Sequence, residues 1–251
     1  PSLRPVCFLH TMKTGGTALC RALVGLSQPW PVLTDLMVDH LACLPPALLD
    51  RAMLITGHLP YEAVELLPPG VALCTVVRDP VERTLSHHSH INASRSGSPV
   101  SIEEFVSTPQ WRALWENYQA RQLVHRIGLA GAWTRFSPVE RVGGPGAEFP
   151  LQSIFDGTPV ALETEELRAA ALDRLQSVDF VGTTEDLDRL AVRIAEFWDR
   201  PPPPPVGRAR VSGERVSRGA LPPALLASIQ DGTAVDATLY DHAHQLATPV
   251  G

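Results

Sequence analysis

The sequence predicts an α/β protein: a three-layer sandwich with a central parallel sheet between two layers of helices. Two observations lead to this. Four short apolar runs, at residues 4–10, 53–56, 71–77 and 179–181, alternate with stretches whose apolar residues recur at helical spacing. Three of those runs end at polar turns containing Gly or Asp-Pro, which is how a strand hands over to a following helix. The length agrees: 251 residues, 44% of them hydrophobic, suffice for one substantial core, so residues 1–251 are read as a single domain.

Each element has its own justification. Residues 4–10 are β-prone and end at the polar stretch 11–17, after which Leu19, Leu23 and Leu26 mark a helix. Residues 53–56 form a second strand, stopped by Gly57-His58. Residues 71–77 form a third, wholly buried strand that feeds Arg78, Asp79 and Pro80; the proline suits a first helical turn, where its missing N–H is not needed. Residues 111–127 are helical, with Trp111, Leu114, Trp115 and Tyr118 on one face. Leu123, Val124 and Ile127 drift off that face, so this helix is buried on two sides or broken. Residues 138–149 are a Gly- and Pro-rich loop. The fourth strand, 179–181, precedes a capping box of Thr183 and Asp186, and then an apolar stripe from Leu187 to Trp198. Five prolines at 201–205 form a stiff connector, and the Pro/Arg-rich residues 200–220 read as a connector or lid in a loop-rich final third.

Composition narrows the function. With 21 Lys+Arg against 27 Asp+Glu the net charge is −6, which excludes a general nucleic-acid coat. Any anionic ligand must be held by a few local groups. No apolar run is long enough to span a membrane. Cys7, Cys20, Cys43 and Cys74 show neither a CxxC step nor zinc spacing, so a reduced, cytoplasmic setting is expected and no metal. One count stands out: Lys13 is the only lysine in the chain.

Lys13 belongs to the first of three constellations that can carry chemistry. Lys13-Thr14-Gly15-Gly16-Thr17-Ala18 lies between the first strand and the first helix, a P-loop-like placement. Two glycines admit a close ligand, the helix N-terminus offers N–H groups, and the lysine adds a point charge. The competing reading is a Gly-Gly turn with a solvated lysine. In the second constellation Arg78 ends the third strand and Ser86 lies two turns into the next helix, so the two could clamp a phosphate. Here the competitor is a structural pairing of Arg78 with Asp79. The third is His58, at a strand end, where an imidazole can take a proton near neutrality or merely pack. A separate cluster, His87-His88-Ser89-His90, reads as a metal site, an acceptor-pocket lining or a plain, partly exposed helix.

In this order, the three constellations resemble PAPS-dependent sulfotransferases, in particular the heparan-sulfate 2-O-sulfotransferase-like branch and its bacterial relatives. Residues 8–17, FLHTMKTGGT, are similar to that branch's HxPKTGGT loop, with Met12 where proline is usual. Residues 78–86, RDPVERTLS, match RDPxERxxS, and Gly57-His58 matches a GH step. Residues 180–187 are similar to a late FVGxTED segment. The resemblance implies a sulfotransferase/P-loop NTPase-like fold whose phosphosulfate-binding loop is residues 13–18. The donor would be PAPS (3′-phosphoadenosine-5′-phosphosulfate) and PAP the product, with a small-molecule or glycan hydroxyl as acceptor. It further implies Lys13 at the bridging oxygen, and the amides of Gly15, Gly16 and Thr17 with the Thr14 and Thr17 side chains around the 5′-phosphate. Arg78 and Ser86 would hold the 3′-phosphate, and His58 would be the general base. Arg208, Arg210, Arg215 and Arg218 would close over an anion, or form a solvated basic loop. The lysine-poor composition suggests a GC-rich bacterial coding sequence and with it a natural-product acceptor. The alternatives are a P-loop nucleotide kinase or phosphotransferase, disfavoured because its lysine follows the glycines, and a non-catalytic nucleotide-binding domain.

Overall fold

Five parallel strands form one sheet in the computed structural model, which describes residues 3–94, 98–124, 162–207 and 215–247. The strands are β1 (Val6–Leu9), β2 (Val32–Leu36), β3 (Leu54–Gly57), β4 (Ala72–Val77) and β5 (Phe180–Thr183), in the order β2-β3-β1-β4-β5. All but β2 are buried along their whole length. Strands covered on both faces favour apolar residues at successive positions, so these four show as short apolar runs interrupted only by glycine and by the buried threonines Thr56, Thr75 and Thr183. β2 was not anticipated. It is an edge strand with a register shift between Leu33 and Leu36, and Asp35 in a left-handed conformation (φ 54°). A half-buried edge tolerates Thr34 and Asp35, and the apolar signal is lost.

Successive residues of each strand serve opposite layers. Val6, Phe8, Cys74 and Phe180 pack on α1 (Gly16–Leu26) and on the helix Leu187–Phe197. Cys7, Leu9, Leu73 and Val181 face the helices Tyr118–Val124, Thr164–Gln176 and Ala234–Ala247. Further helices are Val38–Cys43, Pro46–Leu49, Pro80–Ser94, Ile102–Ser107, Pro109–Arg112 and Pro223–Gly232. In chain order these eleven become α1 (16–26), α2 (38–43), α3 (46–49), α4 (80–94), α5 (102–107), α6 (109–112), α7 (118–124), α8 (164–176), α9 (187–197), α10 (223–232) and α11 (234–247). α4, α5 and α10 enclose a third cluster around Leu85, Phe105, Trp115 and Ile229.

Of the two readings of residues 111–127, a helix buried on two sides or a broken one, the second holds: a helix ends at Arg112 and the next starts at Tyr118, just after Asn117, which adopts φ 41°. The Asn117 side-chain oxygen accepts the N–H groups of Val235 and Asp236, so a tertiary contact breaks the helix. The capping box before α9 does not form. Asp186 is the N-cap but its side chain caps nothing, and the Thr183 hydroxyl instead donates to the Asp186 carboxylate at 3.2 Å. The loop at 138–149, Ile127, Arg208 and Arg210 lie outside the described residues.

The strand order places the site. From β1 the chain moves outward to β2, returns through β3 and crosses to β4 on the other side of β1. The direction of winding therefore reverses at β1, the position in an open α/β sheet beside which loops leaving the carboxyl ends of the strands bind ligands. His58, Lys13 and Arg78 sit on the loops leaving β3, β1 and β4.

Candidate anion-binding and base site

The loop after β1 is shaped by two left-handed residues, Lys13 (φ 70°) and Gly15 (φ 83°). Gly15 is the N-cap of α1, and its carbonyl accepts the N–H of Ala18 at 3.0 Å and of Leu19 at 3.4 Å. The N–H groups of Gly16 and Thr17 precede the first helical bond, and no acceptor among the described residues takes them. With the positive end of the α1 dipole they form an anion-facing surface. Gly16 is required for another reason: a Cβ there would stand 2.0 Å from the His10 ring.

Two residues expected around a phosphate face elsewhere. Thr14 is fully buried and its hydroxyl donates to the Thr11 carbonyl at 2.9 Å. The Thr184 hydroxyl donates to the Thr14 carbonyl at 3.0 Å, tying the loop to the β5–α9 turn. Thr14 therefore braces the loop from within, and its donor is not offered to a ligand. Ala18 is buried in the core beside Leu19 and Leu23, and its N–H is spent on Gly15.

Arg78 reaches back over the loop from the end of β4. Its Nη1 donates to the Lys13 carbonyl at 2.9 Å. The expected alternative, a pairing with Asp79, does not occur. One Asp79 oxygen accepts the Glu82 N–H at 2.8 Å at the start of α4, and the other meets Arg218 at 3.2 Å. The carboxylate paired with Arg78 is that of Glu82, at 3.8 Å, which is also held by Arg215. Arg215 and Arg218 thus dock onto the acidic first turn of α4 and do not form a free basic loop. Burial, then Arg215, lowers the Arg78 pKa from its ordinary value, and the guanidinium remains a cation at neutral pH.

Sequence reasoning missed the residue that holds the Arg78 backbone. Gln119 of α7 accepts the Arg78 N–H on Oε1 and donates from Nε2 to the Arg78 carbonyl, both at 2.9 Å. It also left Arg83 without a role. That side chain is fully buried and donates to the Leu114 carbonyl from Nη1 and Nη2 at 3.1 and 2.9 Å. Its guanidinium lies 3.8 Å over the Tyr118 ring, and burial pushes its pKa down to about 10. Ser86 is nearly buried on α4, and no hydrogen bond joins it to Arg78 among the described residues.

The histidine cluster is a partly exposed helix face only at His90; its other two histidines are buried. His87 is fully buried, 2.9 Å from both Arg83 Nη2 and the Leu114 carbonyl. His88 is buried against the Val100 carbonyl at 2.7 Å. Both anchor α4 to neighbouring segments. No group of three His, Cys, Asp or Glu among the described residues is arranged to hold a metal ion.

His58 has the tautomer a base needs. Its Nδ1 lies 2.9 Å from the His10 carbonyl. A carbonyl can only accept, so Nδ1 carries the proton and Nε2 presents a lone pair. Desolvation lowers the His58 pKa more than this hydrogen bond raises it, keeping the ring neutral near pH 7. The His10 ring sits 4.4 Å from that of His58, centroid to centroid, and burial first, then the neighbouring titratable groups His58 and Lys13, push its pKa down to about 3. Burial, then the Arg83 charge, holds His87 well below its ordinary pKa.

No known family model matches this sequence, and a search of curated proteins finds no match. The site's chemistry lies in its own groups. These are amides at a helix start, an arginine bonded to the backbone carbonyl of the loop's lysine, and a neutral imidazole bonded to the carbonyl of His10 in the same loop.

Proposed function

We propose that this chain is a sulfotransferase that moves the sulfuryl group of PAPS to a hydroxyl of a small-molecule, natural-product or glycan acceptor. The observation that carries the reading is the convergence, at the point where the winding reverses, of the Lys13 loop and Arg78 with His58 in its basic tautomer. The resemblance of residues 8–17 and 78–86 to the sulfotransferase motifs supplies the donor.

In this mechanism His58 Nε2 takes the proton of the acceptor hydroxyl as its oxygen attacks sulfur. Such a base typically contributes about 10²–10⁴ in rate. A new S–O bond forms to the acceptor, and the bond between sulfur and the 5′-phosphate oxygen breaks. Lys13 stabilises the charge that gathers on that oxygen, and the amides of Gly16 and Thr17 hold the 5′-phosphate. Arg78, assisted by Ser86, holds the 3′-phosphate of the donor and of the departing PAP.

Titration calorimetry with PAP in the absence of Mg²⁺ tests the binding, and sulfate transfer from PAPS across a panel of hydroxyl acceptors tests the chemistry. PAP should bind, and Lys13→Ala should abolish transfer. Tighter binding of Mg-ATP than of PAP would overturn the reading in favour of a phosphotransferase. PAP binding without turnover on any acceptor would point to a non-catalytic nucleotide-binding domain.

A further inference from the structure

We infer that Gln119 is a positioning residue for Arg78, and that Asp236 positions Gln119 in turn. The inference rests on the reading of Arg78 as a phosphate ligand.

Arg78 is the first residue past β4. The ladder ends with Val76 on Gly182 and Val77 on Thr183, so the Arg78 N–H and carbonyl have no strand to pair with. The Gln119 primary amide takes both, one as acceptor and one as donor, each at 2.9 Å. A side-chain amide thereby imitates one more peptide of a neighbouring strand and extends the regular backbone of β4 by one residue. The direction of the Arg78 Cα–Cβ bond follows from that backbone, and so does the reach of Nη1 to the Lys13 carbonyl at 2.9 Å.

Gln119 is itself held from outside its helix. Its N–H donates to Asp236 Oδ2 at 3.1 Å, and the next N–H, of Ala120, donates to Asp236 Oδ1 at 2.8 Å. Asp236 is fully buried on α11, and its own N–H goes to Asn117 just ahead of α7 at 3.3 Å. Direct hydrogen bonds therefore run from α11 through Asp236, Gln119 and Arg78 to the backbone of Lys13. A glutamine that only packed α7 against the sheet would not need both its amide atoms on the backbone of one functional residue.

The test is calorimetric titration of the full chain with PAP and with adenosine 5′-phosphosulfate, which lacks the 3′-phosphate, using Gln119→Leu, Gln119→Glu, Arg78→Ala and the Gln119→Leu/Arg78→Ala pair. Gln119→Leu should weaken PAP by about tenfold and adenosine 5′-phosphosulfate by less than about twofold. Gln119→Glu keeps the acceptor for the Arg78 N–H but turns an oxygen on the Arg78 carbonyl. It should fall in the same direction and serves if Gln119→Leu does not fold. On the Arg78→Ala background, Gln119→Leu should cost nothing more for PAP, because its effect passes through the missing guanidinium. Equal losses for both ligands, or a full additional loss in the double variant, would overturn the inference. Amide hydrogen exchange of residues 10–17 separates this failure from failure of the functional reading. If the wild-type chain binds no PAP, the sulfotransferase reading fails. Gln119→Leu and Arg78→Ala should still accelerate exchange of the loop, non-additively, and loop exchange unchanged by Gln119→Leu would sink the positioning role by itself.

Discussion

Acidification should destabilise this protein through His10, by an amount the site's geometry sets. The His10 ring lies against Phe8, 5.4 Å away between centroids, against His58 at 4.4 Å, and against Gly16, where no Cβ could fit. That packing pushes its pKa from 6.5 down to about 3. The unfolded imidazole therefore binds a proton below about pH 6.5 while the folded one does not, and stability is lost as pH falls through the window between these values. Integrating over that window, His10 alone should cost about 2 kcal/mol at pH 5 relative to pH 7.5, close to one proton's slope of about 1.4 kcal/mol per pH unit. His58 and His87, also held below their ordinary values, add in the same direction. Urea melts of the wild type and of His10→Phe at pH 7.5, 6 and 5 read the difference. Phenylalanine keeps a ring in the stack and removes the titration, so the variant's stability should fall less steeply, by about 2 kcal/mol over the range. Any overpacking against Gly16 shifts the curve without changing its slope. Parallel curves for the two proteins would show that His10 protonates freely in the folded state, and would refute the packing argument.

The Gly16→Ala variant should lose about 1–3 kcal/mol of stability in the same melts, because its Cβ would stand 2.0 Å from the His10 ring. It should also lose turnover, since His10 supplies the carbonyl that fixes the His58 tautomer; an unchanged Tm with full activity would contradict the contact. His58→Ala should cut sulfate transfer by about 10²–10⁴ while leaving PAP affinity within about twofold. Retained activity would move the base to another group.

The strands and the turns that follow them were legible because their signals are local. β1, β3 and β4 are short runs buried on both faces, and Lys13, His58 and Arg78 each follow one of them within a few residues. β2 was hidden because an edge strand needs only half a pattern. The helix break at Asn117 was only one of two readings, since the group it serves, the start of α11, is 118 residues away in sequence. The His87–His90 cluster shows the same limit: residue type allowed a metal or a surface helix, and only packing made two of its members buried anchors.

The order of residues along the chain, by itself, determined an α/β sheet with a Gly-Gly loop at Lys13–Thr17 between strand and helix, and a histidine and an arginine at neighbouring strand ends. It could do so because strand, turn and helix start are written within a dozen residues. The tertiary structure decided which atoms of those residues are available. It turned the Thr14 hydroxyl inward, gave His58 its proton on Nδ1, and joined Arg78 to the Lys13 carbonyl while leaving Asp79 to Arg218. Each of the last three choices is a hydrogen bond or ion pair between residues 48 to 139 positions apart. A bond of that span leaves no periodicity in the sequence, and it exists only once the sheet has brought its loops together.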